Sequence, residues 1–350
     1  MSDPSPAGIG AHLVGPSSGQ PKYPLQQAII TAITFVFMIG GQLIPTATGK
    51  SIGDVSRAYD CIGVPPGPAF SIWGMIFLFQ AVYVVLTFVW RGDVISGDVN
   101  SIGFASINLV VQWPLRLAMF GQGLWSILFK FVRNDYPPFS NSGKIGVARG
   151  SALKSFDFYF WACCFLMFVI LTSWYVVVYR IQKAVKNNAW NEGTRQIFIA
   201  YIGIFINTGW ITVASSIIPN HIVLVSTTIS DPGNTAMQIT AFVTVLFVAV
   251  VAVLPFCSSK IKKGIFVPMY FALCWAFAWL SGRLWKVGNG AEPEFEAMIT
   301  NTYSTEAFLS KDAFTTIYRW SATIFCFVFG ALGSYSVCSL VWWIRRSRGP

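Results

Sequence analysis

Apolar runs long enough to cross a bilayer as helices recur at 25–45, 68–90, 103–132, 156–180, 197–218, 237–256, 265–285 and 318–344, with polar segments between them. A helix rising 1.5 Å per residue needs about 20 residues to cross a hydrocarbon core of ~30 Å. The pattern therefore predicts an all-α, polytopic integral membrane helix bundle with about eight transmembrane helices. Pro114 and Arg116 interrupt the third run and leave two readings: a helix from about residue 103, or a span beginning near Pro114 with 94–112 lying along the interface. Residues 1–24, rich in Pro, Gly and Ser, are too polar for the core of a secretory signal and read as a flexible tail. The bundle then occupies 25–344, and 345–350 form a basic tail.

Composition agrees with the pattern. Of 350 residues 54% are hydrophobic and 11% charged, against about 25% charged in a soluble domain, and mean hydropathy is +0.59. Twenty-four Lys and Arg against 14 Asp and Glu give a net charge of +10. That charge sits in loops and tails, where it suits anionic lipid and topology rather than nucleic acid. Arg180, Lys183, Lys186 and Arg195 follow span 4, Lys260, Lys262 and Lys263 follow span 6, and Arg345, Arg346 and Arg348 close the chain. The positive-inside rule makes that side cytoplasmic, with both termini on it, although Arg133, Lys144, Arg149 and Lys154 after span 3 run against the assignment.

Several chemistries lose their residues. No Asp or Glu lies inside a predicted span, Asp157 being at the edge of span 4, which disfavours a proton-driven carrier. No mid-span lysine is present to hold retinal, and His12 and His221 are the only histidines, so a bis-histidine haem or a metal site has no ligands. The seven cysteines form no disulfide framework or zinc spacing, and no nucleophile motif or phosphate loop occurs. Catalytic and metal residues are accordingly expected to be none.

The strongest local signal is Pro65-Pro66-Gly67-Pro68 before span 2, a stiff helix start because proline presets φ and needs no N–H partner in a first turn. Beyond it Gly67, Ser71, Gly74 and Ala81 form a small-residue seam for close helix approach. Phe70, Trp73, Phe77 and Gln80 form a second stripe, better explained, taken alone, by packing and aromatic filling than by a ligand pocket. In span 5, Asn207, Trp210 and Ala214 share a face beside Thr208, Thr212, Ser215 and Ser216. The hydroxyls are expected to bond their own helix, while Asn207 beside Trp210 points to a site. Span 3 adds Gln122 and Trp125. Trp73, Trp125, Trp161, Trp210, Trp275 and Trp279 lie deeper than an interfacial belt requires, and together suit a flat apolar ligand. Arg116 is better explained as snorkelling, or as marking the start of span 3, than as pairing with the carboxylate of an amphipathic ligand such as a porphyrin propionate.

The order GKSIGDVSRAY, PPGPAFSIWGMIF, GLWSILF, INTGWITVA and ALCWAFAWL resembles the tryptophan-rich sensory protein family (TspO/MBR-like), related to the translocator protein. The resemblance runs from span 1 to the end of span 7, is most specific in FSIWG, and is to the longer, many-span branch rather than the five-helix translocator. It implies a helical bundle with a pocket for tetrapyrroles, sterols and similar molecules. Pro66, Gly67, Phe70 and Trp73 match the family's span 2 entry, Trp125 its span 3 tryptophan, and Trp210 with Ala214 its W-x-S-x-A motif. Thr212 stands where the family has Ser, Gln122-Gly123 stands near its expected Asn, and Ile218 replaces an Asn, with Asn220 two positions late.

The expectation is a non-enzymatic membrane protein that binds, and transports or presents, a hydrophobic ligand. Trp73, Trp125 and Trp210 would form its walls and Gln122 and Asn207 its orienting groups, with the turn at Pro66 and Gly67 setting the mouth. No cofactor is required beyond a bound tetrapyrrole or sterol. The expected partners are membrane lipids, the hydrophobic small molecule, and a homo-oligomer or larger membrane complex, without nucleic acid. The rival reading is an accessory or assembly subunit of such a complex. An enzyme of tetrapyrrole degradation ranks third.

Overall fold

A computed structural model describes residues 23–47, 66–90, 104–132, 158–185, 192–219, 222, 239–240, 242–250, 266–288 and 311–347. Helices dominate these residues: α1 (Leu25–Ala47), a 3-10 turn (Gly67–Ser71) running into α2 (Ile72–Val89), α3 (Phe104–Phe129), α4 (Phe158–Val185), α5 (Glu192–Ser216), α6 (described over 242–250), α7 (Val267–Gly288) and α8 (Lys311–Ser347). No strand occurs among the described residues. Segments in α1, α2, α4, α5 and α8 are long and apolar enough to cross a membrane, and the chain is a polytopic helical membrane protein. The tail over 1–22 and the basic loop over 133–155 lie outside the described residues. Tyr23, assigned by sequence to the tail, is fully buried, and α8 continues into the expected basic tail as far as Ser347.

Pairwise packing closes five helices into a ring. α1 packs on α2, α2 on α5, α5 on α4, α4 on α3, and α3 back on α1, while α3 and α5 touch across the middle. Outside the ring α7 packs on α5 and on the 3-10 turn, and α8 packs on α7. The α7–α8 seam joins Phe277 to Phe325 and Phe329, Ser281 to Thr323 at 2.7 Å, and Cys274 to Cys326 at 3.9 Å. With α2, α4 and α7 around it, α5 is buried on every side: of residues 200–213 only Ile202 is not buried. An all-round burial of this kind suits a helix whose apolar residues circle it.

α3 settles the ambiguity at Pro114. It runs unbroken from Phe104, so 104–112 belong to the helix. Proline lacks the N–H that would bond the carbonyl four residues back, and the vacant Val110 carbonyl instead accepts from Arg180 Nη1 of α4 at 2.6 Å. Neighbouring helices commonly make a proline tolerable inside a span in this way.

The small-residue seam predicted on α2 is corrected. Gly74 and Ser71 are exposed, and a Cβ on Gly74 would meet nothing within 4 Å. Close approach occurs elsewhere. Gly41 of α1 and Gly123 of α3 cross backbone to backbone, where a Cβ on Gly123 would lie 2.9 Å from the Met38 Cα. On α5, a Cβ at Gly203 would lie 2.7 Å from the Phe79 Cβ and 2.8 Å from the Gln80 nitrogen. The seams therefore use small residues, as membrane helices do, but the contributing helices are α1, α3 and α5.

Candidate functional site

The site is built from the turn that starts α2. Pro66 is extended (φ −65°, ψ 161°) and precedes the 3-10 turn, whose first bond runs from the Ala69 N–H to the Pro66 carbonyl at 2.9 Å. The Ala69 carbonyl in turn accepts the indole N–H of Trp275, at 2.9 Å, so α7 fastens the turn from outside the ring. The turn's backbone begins at Gly67, followed by Pro68 in its first turn, as the proline signal predicts.

Held this way, Phe70 and Trp73 meet Trp210 of α5. Ring centroids are 5.4 Å apart for Phe70 and Trp210 at 81°, and 6.3 Å apart for Trp73 and Trp210 at 79°. Trp73 also stacks on Phe77 at 5.5 Å and 28°. Edge-to-face contacts set the positive rim of one ring against the negative face of another. Trp210 is buried, whereas Phe70 and Trp73 are half-buried.

One turn earlier on α5, Asn207 is fully buried and donates from Nδ2 to Gln122 Oε1 of α3 at 3.0 Å. Neither amide is satisfied by this bond: Asn207 Oδ1 and Gln122 Nε2 are buried without a partner. Ala214, one turn past Trp210, is half-buried against the core. The predicted face of α5 therefore exists, and it links the aromatic group to the polar pair.

The remaining predicted wall residues diverge. Trp125 stacks on Phe129 at 4.6 Å, and its carbonyl accepts from Cys163 Sγ of α4 at 3.8 Å, which places it toward the α3–α4 seam. Trp161 faces outward and is exposed. Trp275 and Trp279 lie on α7, outside the ring. The hydroxyls of Thr208, Thr212 and Ser216 bond carbonyls of their own helix, as expected. Thr212 additionally meets the Tyr175 hydroxyl at 2.7 Å, and Ser215 Oγ differs in having no partner.

A second polar cluster, which the sequence did not single out, lies toward the other end of the ring. Asn108 Oδ1 of α3 accepts from the Tyr83 hydroxyl of α2 at 2.9 Å and from the Tyr201 hydroxyl of α5. Tyr83, Tyr201 and Phe104 pack ring to ring, with Trp90 against Phe104. Asn108 Nδ2, both amide atoms of Gln80, and the indole nitrogen of Trp174 are buried without partners. The available signal was periodic: Asn108 and Gln122 lie 14 residues apart, four turns along one face of α3.

Within a bilayer an unpaired buried polar group is costly. Here α2, α3, α4 and α5 each contribute at least one such group. An interior of this kind can grip a mostly apolar molecule carrying a few donors and acceptors, the usual recipe of a small-molecule site.

A family model described as TSPO-like protein matches residues 27–134, spanning α1, the turn, α2 and α3. The later motifs of the resemblance, INTGWITVA and ALCWAFAWL, fall outside that match. No curated protein and no solved structure matches the chain. Residues 27–134 of this integral membrane protein, which carry the aromatic entry turn and three helices of the ring, are thus similar to the TSPO-like family.

Proposed function

We propose that the chain binds a flat hydrophobic molecule of tetrapyrrole or sterol kind within the ring, and transports or presents it without chemical change. The observation that carries this reading is the Asn207–Gln122 pair. It offers one free acceptor and one free donor deep among apolar residues, a single turn from Trp210 and the Phe70–Trp73 edge. On this reading Trp73 and Trp210 stack against the ligand's rings, Asn207 and Gln122 orient its polar groups, and Pro66, Gly67 and Phe70 shape the entrance. Trp125 and Ala214 line the ends. Both termini face the cytoplasm.

Titration of the purified protein with protoporphyrin, followed by tryptophan quenching, tests it. Saturable quenching in the wild type, weakened in Trp73→Phe and in Trp210→Phe, is the expected result. Linear quenching, or quenching unchanged in both variants, would mean detergent partitioning and would shift the reading to an accessory subunit of a membrane complex.

A further inference from the structure

Arg116 does not snorkel. It is 5% exposed and enclosed by α1 and α3. Its Nε donates to Thr31 Oγ1 at 3.1 Å and its Nη1 to Gln27 Oε1 at 2.6 Å. Its Nη2 reaches the Gln27 carbonyl at 2.7 Å, Thr31 Oγ1 at 3.1 Å, the Tyr23 hydroxyl at 3.2 Å and Gln112 Oε1 at 3.3 Å. Every one of these partners is a neutral oxygen. The helices α1 to α4 contain no Asp or Glu, and the only one in α5 is Glu192 at its first residue. A guanidinium cannot escape burial by losing its proton, and dipoles solvate its charge without cancelling it.

We infer that Arg116, with Gln27, Gln112 and Trp113, forms a binding site for a phosphate group in the groove between α1 and α3. Both glutamines turn their carbonyl oxygens to the guanidinium, which leaves each NH2 directed away as a donor. Both are half-buried, at the rim. Trp113, whose ring centroid is 5.8 Å from the Arg116 Cζ, is 71% exposed and carries a further N–H. The rim is thus made of donors around a fixed positive charge, the arrangement that phosphate oxygens match best.

The groove also favours one source of phosphate. Leu117 and Phe120 follow Trp113 at four and seven residues along the exposed side of α3, and Phe120 stacks on Phe37 of α1 at 4.9 Å. An acyl chain leaving the phosphate would run along this apolar track, with the exposed tryptophan at headgroup depth. The site is a phospholipid seat on the bundle's outer wall. It stands apart from the ligand reading above, because no residue is shared.

The test uses the full chain purified in mild detergent with equal amounts of phosphatidylglycerol and phosphatidylcholine, and native mass spectrometry to count retained lipid. The wild type is expected to keep phosphatidylglycerol preferentially, because phosphatidylcholine carries the same phosphodiester together with a choline cation that offsets its attraction to the uncompensated Arg116 charge. Arg116→Gln should reduce that retention about tenfold, equivalent to ~1.4 kcal/mol, and Arg116→Lys should keep part of it. Gln112→Leu, at the rim, should reduce it in a protein that still folds, because Arg116 Nη2 keeps the Gln27 carbonyl, Thr31 Oγ1 and the Tyr23 hydroxyl, which keeps the test decisive if Arg116→Gln does not fold. Added inorganic phosphate that displaces the lipid would show a seat also open to the free anion; resistance to phosphate would show a seat anchored by the acyl chains. Equal retention of the two lipids by the wild type, or phosphatidylglycerol retention unchanged in Gln112→Leu and in the folded arginine variants, would overturn the proposal.

Discussion

Replacing Asn207 by Leu and Gln122 by Met together should stabilise the protein while abolishing ligand binding. In the wild type the pair gains one interhelical hydrogen bond of 3.0 Å, and leaves Asn207 Oδ1 and Gln122 Nε2 buried without partners. A hydrogen bond between helices in a membrane contributes about 0.6–2 kcal/mol. Each orphaned atom costs about 1–3 kcal/mol. The two costs outweigh the single bond, and both substitutes approximately conserve volume, which limits strain. The double variant should therefore be more stable by about 1 kcal/mol or more. Each single variant should be less stable than the double, because it strands its neighbour's whole amide. Reversible unfolding in dodecyl maltoside with added SDS gives the stabilities, and protoporphyrin quenching gives binding. A double variant less stable than the wild type would refute the reasoning, since it would mean that the two orphan atoms are satisfied in the folded protein.

Three further outcomes follow from the same packing. Arg180→Ala should cost about 1 kcal/mol by stripping the Val110 carbonyl of its donor, but almost nothing in a Pro114→Ala background, where the introduced alanine supplies a helical N–H; a four-variant unfolding cycle checks it. Gly123→Val should force α1 from α3, because its Cβ would lie 2.9 Å from the Met38 Cα and the Phe37 carbonyl oxygen, with a loss of about 1–3 kcal/mol or more visible as a lowered melting temperature. Trp161→Phe should leave porphyrin quenching of the other tryptophans unchanged, since Trp161 faces outward; a weakened response would place the ligand outside the ring.

Much of the fold was legible because the bilayer imposes one dominant rule, that a span is a long apolar helix. The proline turn was equally plain, since its residues act locally. What periodicity could not supply was the neighbour. Gly74 looked like a contact and faces outward, while Gly203 and Gly123, with the same chemistry, are where backbones meet. Trp125 and Trp210 looked equivalent, yet one packs beside Phe129 with Phe160 and Cys163 of α4 and the other meets Trp73 of α2. Arg116 looked like an interfacial residue because its concealment depends on Tyr23, Gln27 and Thr31, about 90 residues earlier in the chain. Asn108 escaped notice because a lone amide in an apolar run gains meaning only when Tyr83 and Tyr201 arrive from two other helices.

The enclosure of α5 has a consequence for how the protein is made. Its Gly209 approaches the Met269 carbonyl so closely that an added Cβ would lie 2.6 Å from it, and α7 packs on this face of α5. During synthesis α5 enters the membrane with α2 and α4 already available, whereas Val267–Gly288 does not yet exist. The nascent bundle therefore passes through a stage in which α5 is half dressed, with one glycine-bearing side open to lipid or to an insertion chaperone. Completion of α7 ends that stage, and the Trp275 bond to the Ala69 carbonyl fastens the entry turn of α2 in the same event.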